Sequence, residues 1–144
     1  MRISCKVEYG VRALLDLALQ GQGGPSLSRD TAQRQGVPET YLNQLLIQLR
    51  RGGLVTSVRG PKGGHMLARP ADDITLLDIL EALEGPLVVV PEGIGSTASV
   101  ETDALMSSLW DDLRASLRGH LCRITLQELV ERNQTQAGQF MYEI

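Results

Sequence analysis

Gly36 constrains this chain more than any other single residue. It ends a short polar run, Arg29 to Gln35, and Pro38-Glu39 opens a second helical run almost at once. Glycine tolerates the left-handed conformation that stops a helix and redirects the chain. Proline suits a first helical turn, and an acid there favours the helix dipole. In the second run Leu42, Leu45, Leu46 and Leu49 share one face, while Thr40, Asn43, Gln44, Gln48 and Arg51 share the other. Gly52-Gly53 closes it. Two short helices joined at a glycine, the second with polar, base-reading side chains outward, predict a helix-turn-helix.

The next stretch fits a wing. Leu54 to Val58 is a β-rich run, Arg59-Gly60-Pro61-Lys62-Gly63-Gly64 a basic tip, and His65 to Ala68 a returning strand. Gly60, Gly63 and Gly64 let the tip approach another backbone, and Arg59 and Lys62 bring positive charge to a phosphate or a minor groove. No Gly-Lys-Ser/Thr run opens a helix here, which argues against a nucleotide phosphate loop. His65 suits either a phosphate contact or the ordinary hydrogen bonding of a strand-end histidine.

Around this unit the apolar spacing predicts more helices. Val7, Val11, Leu14, Leu15 and Ala18 mark a first helix from Cys5 to Leu19, ended by the glycine-rich run through Pro25. Ser28 is placed as N-cap of the short polar helix. Leu76, Ile79, Leu80 and Leu83 mark a fourth helix from Thr75 to Leu83, and Pro86 to Thr102 reads as irregular. Leu105, Leu109, Leu113, Leu117 and Leu121, with Met106 and Trp110, mark a long helix from Glu101 to Leu121. At 1.5 Å per residue it spans about 30 Å, too long for so small a head to cover, so a symmetric partner helix is the economical cover. Leu105, Leu109, Trp110, Leu113 and Leu117 are the expected dimer contacts. Thr125 to Glu128 reads as a capping box before one more short helix using Leu126, Leu129 and Val130, and a polar tail ends in Phe140-Met141-Tyr142-Glu143-Ile144. The expected architecture is mainly α with a small β-wing. It comprises a winged helix-turn-helix domain at 1–85, an irregular linker at 86–102, and a dimerisation helix with C-terminal tail at 103–144.

Charge supports that division. The chain of 144 residues carries a net charge of −3, but residues 1–69 hold ten Lys or Arg against four acids, and the remainder holds four Arg against thirteen acids. A polyanion is drawn to one end and repelled from the other. Two cysteines, Cys5 and Cys122, make neither a disulfide framework nor a metal knuckle. With no apolar run of membrane-spanning length and no signal-peptide pattern, a cytoplasmic protein is expected. No paired carboxylates in a pocket context, no nucleophile with its base and no cofactor fingerprint suggest an enzyme.

Several stretches together resemble the Rrf2 family of bacterial transcription regulators: Met1-Arg2-Ile3-Ser4 with Tyr9-Gly10, Tyr41 to Leu45 through Leu49-Arg50, Gly53-Leu54-Val55 into Ser57 to Gly64, Ile74-Thr75-Leu76 to Glu84-Gly85-Pro86, and Thr125-Leu126. The resemblance covers nearly the whole chain. It implies a homodimer with two recognition helices in successive major grooves of double-stranded DNA and two wings in flanking minor grooves of a pseudo-palindromic operator. Carried onto this chain, Thr40, Asn43 and Gln44 read bases and Arg59 enters the minor groove. Lys6, Ser28, Tyr41, Arg50 and Lys62 are candidates for phosphate contacts. Asn43 replaces a glutamate of the family's iron-sulfur regulators, and Asn and Gln suit bidentate contacts with adenine.

Cluster-binding members hold iron with three cysteines between the fourth and the long helix, and Val88 to Ala104 contains none. Glu8 stands where some members offer a carboxylate ligand, but one carboxylate is no site, and it reads as an exposed helix residue. No metal or cofactor is therefore expected, and the nearer match is the cluster-free branch concerned with cysteine metabolism, whose aromatic tail the C-terminus resembles. In that branch the protein partner is cysteine synthase. Other readings are an adaptor that keeps the fold but binds proteins, and a thiol-based sensor through Cys5, which lies near a helix N-terminus beside Arg2 and Lys6. Cys122 is a weaker sensor candidate, and His120 has no ligand partners in sequence. Ile47 falls toward the outer side of the recognition helix, facing either the first helix or a thymine methyl.

Overall fold

A computed structural model describes residues 2–89 and 99–142. The chain folds as α1 (Cys5–Gln20), α2 (Ser28–Gln35), α3 (Glu39–Arg51), β1 (Val55–Val58), β2 (Gly64–Leu67), α4 (Leu76–Glu84), α5 (Val100–Leu121) and α6 (Leu126–Tyr142). Short 3-10 turns lie at Gly21–Gly23 and Ala71–Asp73. This is the expected mainly α architecture with a two-stranded antiparallel wing.

One core holds the head together. Leu14 and Leu17 of α1, Leu42, Leu45, Leu46 and Leu49 of α3, Ile79 and Leu83 of α4, and Leu54 entering the wing are buried in a single cluster. Each such leucine contributes on the order of 1.5–3 kcal/mol when removed from water. Gly10 leaves the space on α1 that the Leu83 side chain of α4 fills.

Local differences from the sequence reading have local causes. Ser28 is the first residue of α2, not its cap; Leu27 occupies the N-cap, its carbonyl accepting from the amides of Asp30 and Thr31 at 3.1 Å. Pro38 sits at the N-cap of α3, one residue before the first turn. The returning strand runs from Gly64 to Leu67, and α5 starts at Val100, where Ser99 caps the amide of Thr102 at 3.2 Å. Residues 90–98 of the expected irregular linker, and Glu143-Ile144 of the expected tail, lie outside the described residues.

The C-terminal region departs most. In place of a short helix and a polar tail, α6 continues to Tyr142. It folds back on the head: the Leu126 amide donates to the Ile74 carbonyl and the Leu76 amide to the Ile124 carbonyl, both at 2.8 Å. Leu126 thereby joins the core of α1, α3 and α4. Thr125 accepts from the Glu128 amide as expected at 3.2 Å, while a reciprocal capping box forms at Thr75 and Asp78. By contrast α5 has no buried residue; Leu105 is 63% exposed, and Leu109 and Leu113 are exposed beside it.

Candidate nucleic-acid interface

Gly36 adopts the left-handed conformation at φ 64°, its amide donating to the Ala32 carbonyl, so α2 stops and α3 leaves after Val37-Pro38. With four leucines of α3 turned into the core, Thr40, Asn43, Gln44 and Arg51 are exposed on the opposite face. Gln48 is half-buried, and its side-chain oxygen is buried without a hydrogen-bond partner. Tyr41 is half-buried as well: its ring meets the Tyr9 ring edge-on at 5.7 Å and 79°, and the Arg12 guanidinium lies 5.9 Å over Tyr9. Arg12 also pairs with the exposed Glu8 at 2.9 Å. The entry of the recognition helix is thus braced against α1 through aromatic contacts.

The wing pairs Val55 with Leu67 through Val58 with Gly64. Its tip is closed by the Gly63 amide donating to the Gly60 carbonyl at 2.9 Å. A Cβ at Gly63 would lie 2.2 Å from the Val58 carbonyl oxygen, so this position admits no side chain. Arg59 and Lys62 flank the tip, both exposed. A third stretch of chain, unseen in the sequence pattern, stiffens the wing: Ser26 and His65 exchange backbone hydrogen bonds of 2.9 and 2.7 Å. The same pairing brings Gly64 against the Ser26 carbonyl.

Side chains join wing to recognition helix. Arg50 Nη1 donates to Ser57 Oγ at 3.4 Å, and Ser57 Oγ lies 3.2 Å from His65 Nδ1. Burial, and then the nearby Arg50 charge, hold His65 below the usual imidazole range. His65 is therefore a neutral hydrogen-bonding group near pH 7. Among the described residues Arg50, Arg51, Arg59 and Lys62 form no ion pair, whereas Arg12, Arg34 and Arg69 are each matched with an acid. Positive charge left uncompensated around a polar helix face suits a polyanion.

Of the other expected contacts, Lys6 and Ser28 are half-buried, on α1 and at the start of α2. Trp110 and Leu117 are half-buried on α5, and Cys5 and Cys122 are exposed free thiols. Sequence reasoning missed Asp16, a buried carboxylate on α1 that receives Arg34 and Gln35 from the last turn of α2. The available signal was an acid placed among Ala13, Leu14 and Leu17 on an apolar face.

Comparisons with known proteins agree with this geometry. Residues 3–132 match the model of the Rrf2 family, described as an iron-dependent transcriptional regulator. The chain is 43% identical to the HTH-type regulator named slr0846 of Synechocystis over 90% of its length and 87% of that protein. It is 38% identical to IscR of Escherichia coli over 93% and 83%. Among solved structures, CymR, the global cysteine regulator of B. subtilis, superposes with a TM-score of 0.74 at 34% identity, over 92% of this chain and 98% of that one. IscR of T. potens gives 0.72 at 37% identity, over 92% and 88%.

Proposed function

This chain belongs to the Rrf2 family of transcriptional regulators, and from that premise we propose that it is a homodimeric repressor that binds a pseudo-palindromic operator without an iron-sulfur cluster. The observation that carries the reading is the exposed face of α3, with Thr40, Asn43 and Gln44 outward, beside a wing whose Arg59 and Lys62 have no acidic partner among the described residues. Thr40, Asn43 and Gln44 read base edges, Arg59 enters the minor groove, and Lys6, Ser28, Tyr41, Arg50 and Lys62 contact phosphates and set the register. Residues 1–85 form the DNA-binding head and the expected linker gives way to α5 at Val100, from which the dimerising region runs on, with Leu126 as its anchor in the head.

The donor set speaks against the iron cofactor of the family's description. An iron-sulfur cluster is held mainly by cysteine thiolates, and this chain has only Cys5 and Cys122, with none from Val88 to Ala104. Among the described residues no group of three His, Cys, Asp or Glu side chains could hold a metal. Iron and acid-labile sulfide measured after anaerobic purification test this; stoichiometric iron overturns it.

The dimer reading rests on α5, whose Leu105, Leu109 and Leu113 are exposed in the single chain. No described helix is long and apolar enough to cross a membrane; a cytoplasmic location is inferred from the proposed action on DNA alone. Control of sulfur or cysteine genes is suggested by the likeness to CymR, a cysteine regulator; a cysteine synthase partner is what the family resemblance implies, and co-purification from the native host tests it.

The deciding experiment is fluorescence anisotropy on DNA upstream of the protein's own gene across a salt series. Wild type is expected to bind it more tightly than random DNA, with affinity falling as salt rises and on Arg59→Ala. No preference over random DNA overturns the reading in favour of a protein-binding adaptor.

A further inference from the structure

Ile47 is the one apolar side chain on the outward face of α3. It is 41% exposed and takes no part in the apolar cluster beneath. At about 100° per residue it falls between Thr40 and Asn43 around the helix, on the side away from the buried Leu42, Leu45 and Leu49. Arg51 lies one turn further on and Asn43 one turn back, both exposed. Helix α1 meets α3 elsewhere, through Tyr9 and Tyr41. With 41% of its surface exposed, Ile47 is open to whatever the recognition face meets.

That partner determines what an isoleucine can do there. In the major groove the edge of a base pair offers hydrogen-bonding groups and a single apolar one, the C5-methyl of thymine. Asn43 and Gln44, beside Ile47, have the donor and acceptor pair that suits adenine, and every adenine in a duplex brings a thymine with it. A β-branched side chain on a helix is held close to one χ1 rotamer, so its methyl groups present a fixed surface.

We propose that Ile47 is a specificity-determining residue that packs on the C5-methyl of one thymine in each operator half-site. The assignment rests on the DNA-binding reading above and extends it to a particular base atom. Cytosine at that position offers an amino group and no methyl, and isoleucine can satisfy neither a donor nor an acceptor.

The test removes the methyl from the DNA and leaves every hydrogen-bonding group in place. A preferred site is first selected from random duplexes by the wild-type protein, and each thymine is then replaced singly by deoxyuridine. Wild type is expected to lose about fourfold in affinity at one thymine of each half-site, the effect of leaving one methyl-sized group unburied. Ile47→Ala should show almost no loss at that thymine, while Ile47→Val should keep most of it. Because Ile47 is outside the core, both variants should unfold thermally close to wild type, which separates this outcome from misfolding. A wild type that selects a site but is indifferent to every deoxyuridine, or a loss of equal size in Ile47→Ala, overturns the proposal alone. Failure of wild type to select any sequence overturns the DNA-binding reading and this assignment with it.

Discussion

The Asp16 carboxylate on α1, only 2% exposed, accepts two hydrogen bonds of 2.9 Å from the Arg34 guanidinium on α2. Gln35 adds a third at 3.2 Å. The pair ties the last turn of α2, immediately before Gly36, to the helix beneath it.

The two ends of this pair are not equivalent. Arg34 is 37% exposed and can be hydrated when its partner is lost, whereas Asp16 cannot. Arg34→Ala should therefore destabilise the head by about 3 kcal/mol, the low end for breaking a buried pair because Gln35 remains. Asp16→Ala should cost less. Urea unfolding of the two variants checks the order; an equal or reversed order contradicts the account of a buried carboxylate that depends on its cation.

Gly63→Ala places a methyl group 2.2 Å from the Val58 carbonyl oxygen and 2.9 Å from that of Gly60. Both obstacles are backbone, so the wing must rearrange, at a cost of roughly 1–3 kcal/mol. The helices should persist by circular dichroism while DNA affinity falls at least as far as in Arg59→Ala. Retained affinity would show that the tip conformation is irrelevant to binding.

Leu113 is 41% exposed on a helix with no buried residue. Leu113→Asp should convert a dimer to a monomer in light scattering, because a charge in an apolar interface has no compensating partner. A wild-type monomer at micromolar concentration would remove the basis of the dimer.

The lowered His65 makes stability depend on pH. Between its folded value and about 6.5 the unfolded chain binds more protons than the folded one, so the stabilisation is fully present above about pH 6.5 and is lost as the pH falls. Chemical denaturation at stepped pH should show wild type losing stability on acidification more steeply than His65→Asn. Parallel curves would place the dependence elsewhere.

Much of this architecture was legible because its signals are local. Leucine spacing over Leu42 to Leu49 put one face of α3 inward and left Thr40, Asn43 and Gln44 outward, and Gly36 marked the turn. The wing was readable from a β-rich run, a glycine-rich tip and a return. The reading stopped short at α6, whose polar later part resembled a tail, because the helix is anchored by Leu126 and Leu129 held against the head, not by its own periodicity.

By itself, the sequence determined where most of the helices and the wing begin and end, which leucines face inward, and which side chains the recognition helix presents. Glycine geometry and apolar spacing act over a few residues, so they can be read along the chain. Tertiary structure alone decided that Asp16 receives Arg34, that Ser26 completes the wing at His65, and that α6 returns to Ile74. Each depends on groups brought together by packing, and no local pattern names the partner of a side chain that lies many residues away.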